Sequence, residues 1–250
     1  MILDSIKEYN EVSERMKCEY VKNCKKCNGE GILKSNLGYV ECTCMKKSKI
    51  IAREICNGVP ERLIDKKLVN INNKTVAKFL QDYIDNLQSN INSLTNLLVI
   101  GDNKLNIVEI LSIFINSISF KKNNKGYFYN SVMCDLNDLL QSSYLTKSST
   151  EYKNIYNKII DGSDLLIINY VGSETDTRND LTARFLSNII TRRAINGKLT
   201  FLSSTLKVDE LNNKYGNELS SLFNSNYKIL NLNKESNIGK ETNTNGRGYY

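Results

Sequence analysis

Four cysteines carry the clearest chemistry in the sequence. They stand as Cys24-Lys-Lys-Cys27 and, fourteen residues further on, Cys42-Thr-Cys44. Asn28, Gly29, Glu30 and Gly31 follow the first pair, in a short segment poor in core residues. Paired thiolates in such a segment suit tetrahedral coordination of one structural zinc ion. Gly29 and Gly31 allow tight turns that aim backbone amides at sulfur, and Gly38 marks a hairpin turn between the halves. Four thiolates on a divalent ion carry a net charge of about −2, which nearby lysines offset. The second pair is C-x-C, tighter than an ordinary ribbon spacing, so four unrelated buried cysteines remain the alternative. Cys18 is a possible substitute ligand, whereas Cys56 and Cys134 read as core thiols.

The chain has no histidine. This excludes Ser-His-Asp and Cys-His catalysis, His-ligated zinc enzymes and histidine pH switches. The first residues contain acids and no signal-peptide core, and no run of about 18 apolar residues exists. An intracellular, cytoplasmic setting is therefore expected, with the seven cysteines as thiols or metal ligands. Net charge is +7. Between Arg15 and Arg53 ten basic residues face only three acids, so this segment holds the whole excess. Such a basic stretch points to nucleic acid or to simple solubility.

The elements that position these groups can be read from periodicity. At 250 residues the chain accommodates a small module and one larger domain. Ile2, Ile6, Tyr9, Val12 and Met16 predict a helix over 1 to about 20, packed on a neighbour or docking another protein. Val59-Pro60-Glu61-Arg62 contains the only proline and predicts a boundary. Beyond it, Val76, Phe79, Leu80, Tyr83, Ile84 and Leu87 form a helical stripe, and Asn96–Ile100 reads as a strand ending at Gly101. A helix over Ile107–Phe120, a strand over Gly126–Asn130 and a helix through Leu136, Leu139 and Leu140 follow. Tyr152, Ile155, Tyr156, Ile159 and Ile160 make another helix face, closed by Asp161-Gly162.

The run Leu165-Leu-Ile-Ile-Asn169 is nearly all apolar, as a strand covered on both faces must be. A helix from about Asp180 to Asn196 follows, with Leu181, Phe185, Ile189 and Ile190 inward. Leu199–Ser203 and Tyr227–Leu232 are further strands, and the residues from 233 onward are polar and read as a flexible tail. Strands alternating with helices predict an α/β fold with a parallel sheet and right-handed crossovers.

Several of these stretches together resemble the DnaC/DnaI/IstB-like family of AAA+ ATPases, which includes bacterial and phage helicase loaders. They are the cysteine module, Gly58-Val-Pro60-Glu-Arg62, Asn96-Leu-Leu-Val-Ile-Gly101 and Asp164-Leu-Leu-Ile-Ile-Asn-Tyr-Val-Gly172, then Arg192-Arg193 through Ser204 and Tyr215-Gly216 through Leu222. The resemblance implies a zinc-binding module over 1–57, an AAA+-like phosphate-loop domain over 58–232 and a tail over 233–250. It also implies a replication accessory that binds a DnaB-like replicative helicase and single-stranded DNA.

The departures from that family concern the chemistry. Where a phosphate-binding loop needs glycines, a lysine and a Ser/Thr, the chain offers Gly101, then Lys104, Asn106, Ile107 and Val108. Asn169-Tyr170 replaces the acidic pair that holds magnesium, and Ser220-Ser221-Leu222 stands where the arginine finger is expected. Phosphoryl transfer depends on those groups, so ATP hydrolysis is not expected. Gly101 and Lys104 remain the residues for any residual nucleotide contact, Lys104 being otherwise an exposed loop lysine. Arg178, Arg184, Arg192 and Arg193 are candidates for phosphate contact, with a helix C-terminus as the other account of the last two. Two further expectations stand beside the loader: an inactive decoy subunit in a partner AAA+ ring, homo- or hetero-oligomeric, and a divergent ATPase rebuilt around Lys104.

Overall fold

The computed structural model describes residues 5–123, 125–145, 150–174 and 179–233. Helix α1 (Ser5–Val21) is followed by an antiparallel hairpin of β1 (Ile32–Ser35) and β2 (Gly38–Glu41), and by helix α2 (Thr43–Cys56). Then come α3 (Lys74–Asp85), α4 (Leu87–Asn92), β3 (Asn96–Ile100) and α5 (Lys104–Ile118). The chain continues with β4 (Ser131–Asp135), α6 (Leu136–Leu145), α7 (Thr150–Gly162), β5 (Leu165–Asn169) and α8 (Asn179–Ile195). It closes with β6 (Leu199–Ser204), α9 (Val208–Tyr215), α10 (Asn217–Asn226) and β7 (Tyr227–Asn231). Among the described residues no helix is long and apolar enough to cross a membrane.

The α/β fold expected from the sequence is present. Five strands form a parallel sheet in the order β4-β5-β6-β3-β7. Strand β3 pairs in parallel with β6, Leu98 opposite Leu202, and with β7, Leu98 opposite Ile229. Every residue of β3, β5 and β6 is buried, which explains why β3 and β5 read as nearly continuous apolar runs.

Packing divides the chain into two compact units. The first comprises Met1–Lys67 with Leu111–Leu166. In it α1 lays Tyr9, Val12, Met16 and Tyr20 against Ile51, Ala52 and Ile55 of α2; Ile2 and the side chain of Ile6 lie outside the described residues. Helix α2 itself is missing from the periodicity reading, because Lys46, Lys47 and Lys49 interrupt its first turns. Its C-terminal end is laced to β4: the Met133 amide donates to the Asn57 carbonyl at 2.8 Å, and Asn57 Nδ2 donates to the Ser131 carbonyl at 2.8 Å. Gly58 follows in a left-handed conformation, φ 100°, pressed so close that a Cβ would lie 2.0 Å from the Met133 oxygen.

Strand β4 corrects the expectation of a strand over Gly126–Asn130. Those residues are spent on a turn in which Asn123 Oδ1 accepts from the amides of Lys125 and Tyr127. The strand forms one step later, on Val132-Met133-Cys134, where buried side chains stand on the sheet.

The second unit comprises Leu68–Ile110 with Ile167–Tyr250. In it Tyr83 meets Phe201 edge-to-face at 5.5 Å, and Asn96 Oδ1 accepts from the Thr200 amide at 2.8 Å. Helix α8 corrects a second expectation. Leu181 is exposed, and the buried stripe is Thr182, Ala183, Leu186, Ile189, Ile190 and Arg193. A cation sits on that face because Arg193 donates to Thr200 Oγ1 at 3.0 Å and to the Leu199 carbonyl at 2.7 Å.

Two stability outcomes follow from the first unit. Gly58→Ala should destabilise the protein by about 3 kcal/mol or more, since both the positive φ and the contact with backbone oppose it; denaturant midpoints of the two proteins check this. Glu54 is buried on α2 beside Arg53, 2.8 Å away, and burial, outweighing Arg53, pushes its carboxyl up to about 7 from 4.5. The unfolded chain then loses this proton first as pH rises, so stability contributed below pH 4.5 is lost through pH 7. Urea titrations across that window should show a downward slope, on the order of 3 kcal/mol in total, that Glu54→Gln flattens.

Candidate functional site

The cysteine cluster is built by three local elements. Cys24 and Cys27 sit on the turns that follow α1, Cys42 caps α2 and Cys44 lies in its first helical turn. Asn28, Gly29 and Gly31 all take left-handed backbone, with φ between 50° and 83°. This conformation swings the Gly31 amide onto Cys27 Sγ at 3.2 Å, as the glycine positions led one to expect. The Cys42 amide donates to the Gly31 carbonyl at 2.8 Å, tying the two halves together.

All four sulfur atoms lie within 4.8 Å of one another. Cys24 and Cys42 are 3.9 Å apart, Cys27 and Cys44 3.5 Å. Tetrahedral ligands at about 2.3 Å from an ion stand about 3.8 Å from each other, whereas a disulfide needs about 2.05 Å. The set can therefore hold a metal ion. Backbone amides of Cys27 and Lys26 pull the Cys24 thiol down to about 6, and the Cys44 amide lowers Cys42. Burial raises Cys44. Cys18 is exposed and stands outside the cluster, and Cys134 is buried as expected of a core thiol.

The turn after β3 is short. Helix α5 starts at Lys104, with only three residues between it and Ile100, so no loop long enough to wrap a phosphate intervenes. Its amides already have acceptors. Asn103 Oδ1 accepts from Leu105 N at 2.8 Å and Asn106 N at 3.4 Å, and Asn233 Oδ1 accepts from Asp102 N at 3.1 Å. Gly101 is closely packed, a Cβ there lying 3.2 Å from both Ile107 and Leu232 side chains. Ile107, standing where the resemblance places a phosphate-binding lysine, is fully buried. The Asn103 cap has a sequence signal, an asparagine just ahead of an apolar helix; the reach of Asn233 across the chain has none.

Lys104 is exposed, and its ammonium lies 4.8 Å from the centroid of the Tyr170 ring. Tyr170 takes φ 61°, a left-handed conformation that costs a non-glycine residue on the order of 1 to 3 kcal/mol. The strand end around it is tied down. Asn169 Oδ1 accepts from Ser203 Oγ at 2.9 Å, and Ser204 Oγ donates to the Val171 carbonyl at 2.6 Å. The polar end of β6 thus points at the neighbouring strand end. Below it Glu174, buried, accepts from Tyr215 at 2.6 Å and pairs with Lys214 at 2.8 Å. Lys214 also donates to the Gly172 carbonyl at 2.7 Å. Sequence reading misses this network because its members stand some forty positions apart.

The four arginines named as phosphate contacts separate. Arg184 and Arg192 lie on the exposed face of α8. Arg193 is fully buried and donates to β6, so its guanidinium offers nothing to an external phosphate. Arg178 lies outside the described residues.

Together these features define a class: an α/β core built on a five-stranded parallel sheet, with a small four-cysteine module ahead of it in the sequence. No protein-family model and no curated protein sequence matches the chain. Solved structures of replication proteins do. The DnaC helicase loader is 18% identical with a TM-score of 0.56, over 69% of this chain and 99% of that one. DnaI is 12% identical, TM-score 0.52, over 71% and 93%. The replication initiator DnaA, solved with AMPPCP and single-stranded DNA, is 17% identical, TM-score 0.53, over 70% of this chain and 50% of its own. The resemblance to DnaC and DnaI read from the sequence therefore holds for the fold.

If the four sulfurs hold one ion, purified protein should release about one equivalent of divalent metal per chain when its thiols are blocked with a mercurial. Cys27→Ser should lose most of that metal and lower the melting temperature; a colorimetric metal assay beside a thermal melt reads both.

Proposed function

We propose that this protein is a DNA-replication accessory of helicase-loader type that engages a DnaB-like hexameric helicase and single-stranded DNA without turning over ATP. The fold shared with DnaC and DnaI supports the replication role. The observation that carries the rest is the turn between β3 and α5. Amides that would cradle phosphate are capped by Asn103 and Asn233, the lysine position is a buried isoleucine, and no carboxylate ends β5. Phosphoryl transfer is mostly positioning and charge neutralisation, and these residues supply neither.

On this reading residues 1–57 form the docking module, with zinc on Cys24, Cys27, Cys42 and Cys44 and with α1 offered to the helicase. Residues 58–232 are the platform, and 233–250 a tail. Arg184 and Arg192, eight positions apart on one helix and so about 12 Å along its axis, suit two phosphates of a strand that are not adjacent. A second reading, an inactive subunit within a partner's AAA+ ring, is favoured by Ser220-Ser221 at the arginine-finger position.

Co-purification from the native source should retain a hexameric helicase. Adding MgATP should leave the melting temperature unchanged, whereas an ordinary site at 100-fold excess over its Kd would add about 2.7 kcal/mol; such a rise overturns the reading. A fall in ATP turnover when the protein is added to an active loader would select the inactive-subunit role.

A further inference from the structure

The β1–β2 hairpin carries a face that no contact described above uses. Register pairs Lys34 directly with Tyr39 and Ile32 with Glu41, so these four side chains share one side of the ribbon. The other side holds Leu33, which packs on Val21, Cys27 and Cys42 and fixes which way the first side looks. That side is open: Tyr39 is 73% exposed, Ile32 is also exposed, and Leu37 at the tip is 100% exposed.

Between Arg15 and Arg53 the unpaired charge is mainly positive, with exposed Glu19 and Glu30 as the acids that have no cation partner among the described residues. Glu41 is neutralised by Lys49, and Arg15, Lys17, Lys47 and Arg53 also have acidic partners. Lys22, Lys25, Lys26, Lys34 and Lys46 are exposed and have none among the described residues. Lys25 and Lys26 border the thiolates and offset their charge if metal is bound, which leaves Lys34 on this face, and Lys22 and Lys46 on the rest of the module, for a partner.

We propose that this hairpin face binds single-stranded nucleic acid, one base stacking on Tyr39 while Lys34 and its neighbours meet the phosphates. A tyrosine beside a lysine on an open ribbon is the combination such binding uses, because every unpaired base offers a face to an aromatic ring and the phosphates attract cations. A duplex hides its base faces, and an acidic protein would meet the lysines without needing the ring. The surface belongs to the cysteine module and is separate from Arg184 and Arg192. It rests on the single-stranded DNA part of the proposed function, to which it gives a second site, and not on the helicase part.

The test uses the full metal-loaded chain and a fluorescein-labelled oligo-dT of about 20 nucleotides in about 50 mM salt, read by anisotropy. Tyr39→Ala should weaken binding roughly tenfold, and Tyr39→Phe should restore it. Lys34→Ala should reduce the slope of log affinity against log salt by about one. An oligonucleotide containing iododeoxyuridine should photocrosslink to the peptide bearing Tyr39. Metal content of each variant, unchanged because Tyr39 and Lys34 are not ligands, confirms folding of the module. The proposal is overturned if Tyr39→Ala binds like the parent, or if Arg184→Ala with Arg192→Ala removes all binding. It is likewise overturned if Tyr39→Ala abolishes co-purification of the helicase and leaves oligonucleotide affinity intact. The helicase result and the oligonucleotide result are separate readouts, so either can fail alone.

Discussion

The first amides of a helix have no partner within it, and something must accept from them. In a phosphate-loop protein a bound phosphate does so. In this protein asparagine side chains do. Asn103 serves the start of α5, and Asn233, arriving beyond β7, serves the turn ahead of it. The neutral carboxamide satisfies the donors without bringing negative charge, so no cation is needed nearby. Ile107 can then be apolar and buried, and Lys104 can lie over Tyr170. The departures noted in the sequence are thus linked: with the amides satisfied from within the chain, a lysine, a metal ligand and a carboxylate would have no phosphate to serve at this turn.

Much of the core was legible because its signals are local. Asn96–Ile100 and Leu165–Asn169 were bounded correctly, since a strand buried on both faces leaves an unbroken apolar run. The cysteine set was legible for a different reason: thiolates at short spacing within a core-poor segment have few other uses. What escaped depended on distant partners. Helix α2 packs Ile51, Ala52 and Ile55 with α1 while Ser48, Ile50 and Glu54 are also buried, so no single apolar stripe marks it, and three lysines break up its first turns. Strand β4 has three apolar residues and owes its position to Asn57. Arg193 reads as a surface cation, and only the oxygens of Leu199 and Thr200 make its burial tolerable. The Glu174, Lys214 and Tyr215 network is invisible until α9 is placed.

The cysteine module makes the opposite use of sequence. Around Val21, Cys27 and Cys42 there is little else buried, too little apolar surface to order a hairpin by itself. The sulfurs stand in for a core. Because the hairpin is held by them at its base, its far side need bury nothing. An aromatic and an aliphatic side chain can stay in water there at small cost to folding.

The backbone of Tyr170 bears on how this chain could change. It sits in a left-handed conformation with its ring beneath an ammonium, at the place where a hydrolase would carry an acid. Exchanging it for aspartate alone would keep the awkward torsion and meet a turn with no room or donors for triphosphate. Exchanging Ile107 alone would bury an ammonium beside Gly101. Each single exchange is penalised until the others are in place, so this turn resists stepwise conversion into a phosphate loop.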